Sequence, residues 1–256
     1  MDLSSVRIPL IALLLLVNLT ANSQESADDR FAKGTEFFAA GDFQKALEEW
    51  TGLYTAGYRS ADLDYNIGNA YFKLGNIPGA ILFYERAQLR KPGDEDISYN
   101  LQIARTLVTD RLEEIPELFF VRWYNFLSLL LISDTWAAIS LISFLLCLVL
   151  LSLYFYSAKY NLKVTGFWLA IITLAVSLAS IAFSARNKHL VYESNKAIIY
   201  SPVVNGKSSP DESGTDLFVI HEGLKVSVED EVGDWREIRL PDGNKGWVPA
   251  NTIEII

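Results

Sequence analysis

Half of the 256 residues are hydrophobic, and the formal net charge is −9. Residues 24–117 carry 10 Lys or Arg against 17 Asp or Glu, and residues 191–256 carry 6 against 12; two acidic ends repel nucleic-acid phosphates, which excludes nucleic acid as a partner. The single cysteine, Cys147, lies in an apolar run, so neither an intrachain disulfide nor a cysteine metal cluster can form.

The chain starts MDLSSVRIPLIALLLLVNLTANSQES: Arg7, then about a dozen mostly apolar residues from Ile8 to Leu19, then Ala21 and Ser23 in small-x-small order. This is the pattern of a secretory signal peptide over residues 1–23, and its apolar stretch, short for a bilayer span, favours cleavage before Gln24 over retention as an anchor. It predicts that the next segment folds outside the cytoplasm.

Residues 24–117 contain a repeat. DLDYNIGNAYFKLGNIPGAI starts at Asp62 and DISYNLQIARTL at Asp96, so Asp, Tyr and Asn recur 34 residues apart; Asp28, Phe31 and Ala32 stand one period earlier. A fixed period of this size indicates a helical solenoid. Residues 61–94 resemble a tetratricopeptide repeat, with Ile67, Gly68 and Tyr71 in a first helix, LGN at 74–76 as the turn, Ala80, Tyr84 and Ala87 in a second helix, and Pro92 at the exit. Gly34, Phe37, Ala46 and Trp50 hold the corresponding places earlier, while Leu53 and Tyr58 depart from the pattern. The third copy keeps Leu101 but has Gln102 and Arg105, which predicts a capping helix ended by Pro116.

That resemblance implies a groove for peptides or other proteins, lined by first-helix residues: Asp62, Tyr65, Asn69, Phe72 and Lys73, with Tyr99 from the next copy. Tyr65, Asn69 and Lys73 are spaced by four and predict one exposed stripe, from which Asn69→Ala with Lys73→Ala would weaken capture of a partner and leave folding intact. Asp62 and Asp96 equally suit helix caps, and Tyr65 and Tyr99 equally suit packing. Phe31 and Thr35 replace the Lys and Asn of the family's carboxylate clamp.

Residues 118–135 are apolar but interrupted by Arg122, Asn125 and Asp134; Phe119, Trp123, Phe126, Leu127 and Leu130 share a helical face. The spacing fits a helix lying in a membrane interface or a core helix under the repeats, with Ser133 or Asp134 capping the next helix. Residues 136–156 and 164–185 carry no charge, and each is long enough to cross about 30 Å of hydrocarbon. Seven residues, SAKYNLK, separate them. They predict a transmembrane helical hairpin over 136–185 that leaves both soluble modules on one side.

Residues 191–256 change to short alternating segments, KAIIYSPV, DLFVIHEGLKVSVEDEV, DWREIRL and GWVPANTIEII, with VNGKSSPDESG and PDGN as turns. From LFVIHEGLKVSV onward they resemble the bacterial SH3-like domain, a small all-β barrel. The resemblance places Trp235, Trp247 and Pro249 near a ligand groove, although Thr252 replaces its usual Tyr; both tryptophans also suit half-buried packing. His189 and His221 have no partner at a recognisable spacing, and no phosphate loop or zinc motif is present. A non-enzyme without cofactor or metal is expected.

The order of signal peptide, all-α tetratricopeptide solenoid, two-helix hairpin and SH3-like barrel resembles the BatE family of the Bacteroidota aerotolerance operon. The resemblance implies a scaffold in the bacterial inner membrane, embedded in the lipid bilayer with both modules periplasmic, working with other membrane proteins such as von Willebrand factor A domain Bat proteins. The alternative is a cell-wall receptor that holds peptidoglycan peptides through the SH3-like domain.

Overall fold

The computed structural model describes residues 27–113, 115–116, 118–192 and 195–256; the expected signal peptide, 1–23, lies outside them. Five helices come first: α1 (residues 27–39), α2 (Phe43–Thr55), α3 (Ala61–Lys73), α4 (Ile77–Arg90) and α5 (Glu95–Thr106). The period of 34 is carried by matched positions. Gly41 and Gly75 take φ of 82° and 78°, a conformation glycine adopts without strain; the next residues, Asp42 and Asn76, cap α2 and α4 by accepting from the amides of Lys45 and Gly79. A Cβ on Gly34 would overlap the Trp50 indole, and one on Gly68 would lie 2.7 Å from the Tyr84 ring. Both rings are buried, so the two glycines let α1 approach α2 and α3 approach α4. The lone third-copy helix α5 packs on α4 and closes the stack.

Asp62 and Asp96 are not the caps. Ser60 Oγ accepts from the Leu63 amide, and Asp94 accepts from the amides of Asp96 and Ile97. The two aspartates stand within the first turns of α3 and α5, where a carboxylate still meets the positive end of the helix.

Three more helices come next: α6 (Phe119–Ser128), α7 (Ser133–Tyr156) and α8 (Tyr160–Tyr192). The α7–α8 turn is Ser157–Lys159 rather than seven residues, and α8 runs on past Ala185 through Arg186, Lys188 and His189. Charge marks where a helix leaves an apolar medium, not where its hydrogen bonds stop. Only 11% and 22% of the most apolar windows of α7 and α8 are buried within the protein, so neither is a core helix of the described residues. What is buried is a seam of small residues. Ser140 and Ser177 each donate to the other's carbonyl at 3.0 Å, Ser133 Oγ donates to the Ser184 carbonyl at 3.1 Å, and a Cβ on Gly166 would lie 3.0 Å from the Leu150 carbonyl. Hydroxyl bonds and close backbone approach hold apolar helices together where no hydrophobic effect between them is available. Both helices are long and apolar enough to cross a membrane.

Ser133, spent on Ser184, does not cap α7; Ile132 occupies that position without a side-chain bond. In α6, Phe119, Trp123 and Phe126 are 78%, 67% and 62% exposed, so α6 is not a core helix under the repeats. Its end is tied to the hairpin, because Trp136 Nε1 and Asn187 Nδ2 donate to the Ser128 carbonyl at 2.9 and 2.8 Å.

Seven strands complete the chain: β1 (Lys196–Ile199), β2 (Val203–Lys207), β3 (Asp216–His221), β4 (Lys225–Val232), β5 (Trp235–Arg239), β6 (Lys245–Pro249) and β7 (Ile253–Ile255). They form an antiparallel sheet in the order β3-β2-β6-β5-β4-β1-β7, open between β3 and β7 and consistent with the SH3-like expectation. Ala197, Val204, Ile220, Val226, Ile238, Val248 and Ile253, one from each strand, share one core. The segment VNGKSSPDESG was expected to be all turn, yet its first residues belong to β2. Gly206 leaves room for the Phe218 ring of the paired strand β3, where a Cβ would overlap it; an Asn-Gly pair that reads locally as a turn is set in a strand by its partner.

Candidate protein-interaction surfaces

On the first helices, the expected groove residues divide into two sets. Tyr65 and Asn69 of α3 are half-buried and already bonded: the Asn100 amide donates to the Tyr65 hydroxyl at 2.7 Å and to Asn69 Oδ1 at 3.2 Å, and the Tyr84 hydroxyl donates to Asn69 Oδ1 at 2.7 Å. Burial pushes the Tyr84 phenol far up, which keeps it a donor at any physiological pH. Phe72 is packed against the repeat core. The stripe of Tyr65, Asn69 and Lys73 is therefore not a free surface, because two of its three members close the joint between α3, α4 and α5. Asp62 and Lys73 are exposed, and Tyr99 is 64% exposed. Contrary to the expectation from spacing, Asn69→Ala should damage the fold: it removes the acceptor of the buried Tyr84 hydroxyl, at a cost of about 1–3 kcal/mol, read as a lower midpoint in thermal unfolding.

Residues 31–95 match the tetratricopeptide repeat family. The match ends at the first residue of α5, the lone helix of the third copy. No curated protein matches the chain. Tetratricopeptide repeats bind other proteins, and the exposed first-helix residues above are where this one presents side chains that its own packing does not use.

On the other side of the tetratricopeptide stack, α4 is covered. Residues Ile81, Leu82, Phe83, Tyr84 and Glu85 of α4 are consecutive and all buried, which requires neighbours on more than one face. The sheet supplies them: Ile198 of β1 joins the repeat core, with Tyr200 and Ile256 packed against it. Glu85, its side chain 3% exposed, accepts from Lys225 Nζ of β4 at 2.6 Å and from Arg105 of α5. Burial alone would raise its pKa; the charges of Lys225 and Arg105 outweigh burial and hold it below the usual carboxylate range. Asp110, beyond α5, accepts from the His221 amide at 2.6 Å and meets its Nδ1 at 2.9 Å. No sequence signal pointed to these pairings, and His221 was expected to have no partner, because Glu85 and Lys225 are 140 residues apart and Asp110 and His221 are 111. One sign was legible: a glutamate at the end of the apolar run AILFY.

On the sheet, Trp235 stands opposite Pro249 and Trp247 opposite Glu237 in the β5–β6 ladder. Their neighbours Ile238 and Val248 point into the core, so alternation puts Trp235, Trp247 and Pro249 together on the outer face, each half-buried. The structure thus brings all three expected residues to one surface.

Proposed function

We propose that the chain is a non-catalytic membrane scaffold whose hairpin spans the inner membrane and whose repeats and SH3-like sheet act as one recognition body on the periplasmic face, within a Bat-type complex of membrane proteins. The observation that carries this reading is the fusion of the two modules through Glu85, Lys225 and Arg105, which covers the second helix α4 while leaving Lys73 and Tyr99 on the first helices exposed. A body clamped to its anchor presents binding residues in fixed orientation to partners in the same membrane, which raises their effective concentration. Interface energy concentrates in few residues, often aromatic. Tyr99→Ala with Lys73→Ala is expected to lower recovery of membrane partners about tenfold on co-purification, with unchanged circular dichroism. Full recovery would move the binding surface to Trp235, Trp247 and Pro249.

The clustering of those three residues favours a second reading, a peptidoglycan-peptide receptor. Co-sedimentation of the detergent-solubilised chain with sacculi, lost in Trp247→Ala, would support it.

A further inference from the structure

We propose that a cavity of about 710 Å³ between the repeats and the hairpin binds the headgroup of a membrane phospholipid in which a phosphate is joined to a protonated amine. This rests on the reading of α7 and α8 as membrane-spanning. The walls are the first turn of α3 and last turn of α4 on one side, and the first turn of α7 with the end of α8 on the other. The uncharged run of α7 starts just after Asp134 and that of α8 ends at Ala185, so the cavity lies where hydrocarbon gives way to water. A headgroup reaches it without its chains leaving the bilayer.

The chemistry is set by an unpaired atom and by the charges. Asn187 lines the cavity and is 5% exposed. Its Nδ2 donates to the carbonyls of Ser128 and Leu131 at 2.8 and 2.9 Å, which fixes the amide, and its Oδ1 has no hydrogen-bond partner. A buried acceptor without a donor is uncommon and calls for a donor from a ligand. Beside it, α7 begins without a side-chain cap, so its first amides and its dipole favour an anion. Of the four cations in the walls, Arg90 and Lys91 are already paired, with Asp64 and Asp94; Lys188 and Arg59 add the remaining positive charge, and Asp62 and Asp134 add negative charge. An anionic or a cationic ligand would leave one set unanswered. A phosphate linked to an N–H-bearing ammonium answers both, and the ammonium supplies the donor that Asn187 Oδ1 lacks.

The test uses the full chain in detergent, with thermal unfolding followed as short-chain phosphatidylethanolamine, phosphatidylcholine, phosphatidylglycerol or diacylglycerol is added. Phosphatidylethanolamine should stabilise most; phosphatidylcholine, with equal charges and no N–H, should bind about tenfold more weakly, and diacylglycerol should have no effect. Lys188→Ala, at an exposed position, should weaken every phosphate-bearing lipid, and Asp134→Asn should narrow the preference for the ethanolamine headgroup. An equal response to the three phospholipids, or to diacylglycerol, overturns the site, as does an unchanged affinity in Lys188→Ala. Alkaline extraction of membranes tests the anchoring separately: release of the chain overturns the membrane reading and this site with it, whereas retention without headgroup preference overturns the site alone.

Discussion

Removing both cations that meet Glu85, Lys225→Ala with Arg105→Ala, is expected to destabilise the protein by about 3–5 kcal/mol, because a buried carboxylate is left without compensation. The asymmetry lies in exposure. The side chains of Arg105 and Lys225 are 50% and 36% exposed and are hydrated without Glu85, whereas Glu85 at 3% is not hydrated without them. Glu85→Gln alone should therefore cost less, about 1–3 kcal/mol. Adding Glu85→Leu to the double variant should recover most of the loss, since an apolar side chain in that place needs no partner. Chemical unfolding of the full chain in detergent reads all four proteins, and a double variant as stable as the parent would show that the seam does not depend on this carboxylate. The pH dependence has a defined sign. With its folded pKa below the ordinary 4.5, Glu85 contributes stability that is complete above that value and is lost as pH falls through the folded pKa. Asp64, fully buried and bonded to Arg90 at 2.9 Å, has its carboxyl pushed up by burial and acts in the opposite sense. The acid loss belonging to Glu85 is accordingly the difference between the parent and Glu85→Gln.

Gly68→Leu should overpack the α3–α4 pair by about 1–3 kcal/mol. The Tyr84 ring is 2.7 Å from where the first added carbon would be, and this ring has little freedom to yield: it is 1% exposed and its hydroxyl is bonded to Asn69. Thermal unfolding should show the loss, and Tyr84→Ala combined with Gly68→Leu should cost less than the two changes summed, because the tyrosine truncation vacates the space the leucine needs. Strict additivity would mean that the glycine is not there for the ring. The same reasoning applies to Gly34 beneath Trp50 one period earlier, which makes the pair a test of the repeat itself.

Much of this architecture was legible because the interactions behind it are local or periodic. The recurrence of Gly34 at Gly68, of Gly41 at Gly75 and of Trp50 at Tyr84 specifies helix pairs that must stack, and two uncharged runs of membrane length specify a hairpin, since hydrophobicity and backbone hydrogen bonding act within a segment. The SH3-like resemblance had grouped Trp235, Trp247 and Pro249, and the pairing of β5 with β6 puts them on one face. The features that escaped depend on neighbours distant along the chain. Asn69 looked like a free groove residue until Tyr84 and Asn100 were seen to use its oxygen, and Ser133 looked like a cap until Ser184 was seen to take its hydroxyl. Residues 204–207 carried turn letters until β3 paired with them. Glu85, Lys225, Asp110 and His221 carry no common motif; only the docking of the sheet onto α4 gives each its partner, because a buried charge is satisfied by whatever the tertiary structure places beside it and not by its neighbours in sequence.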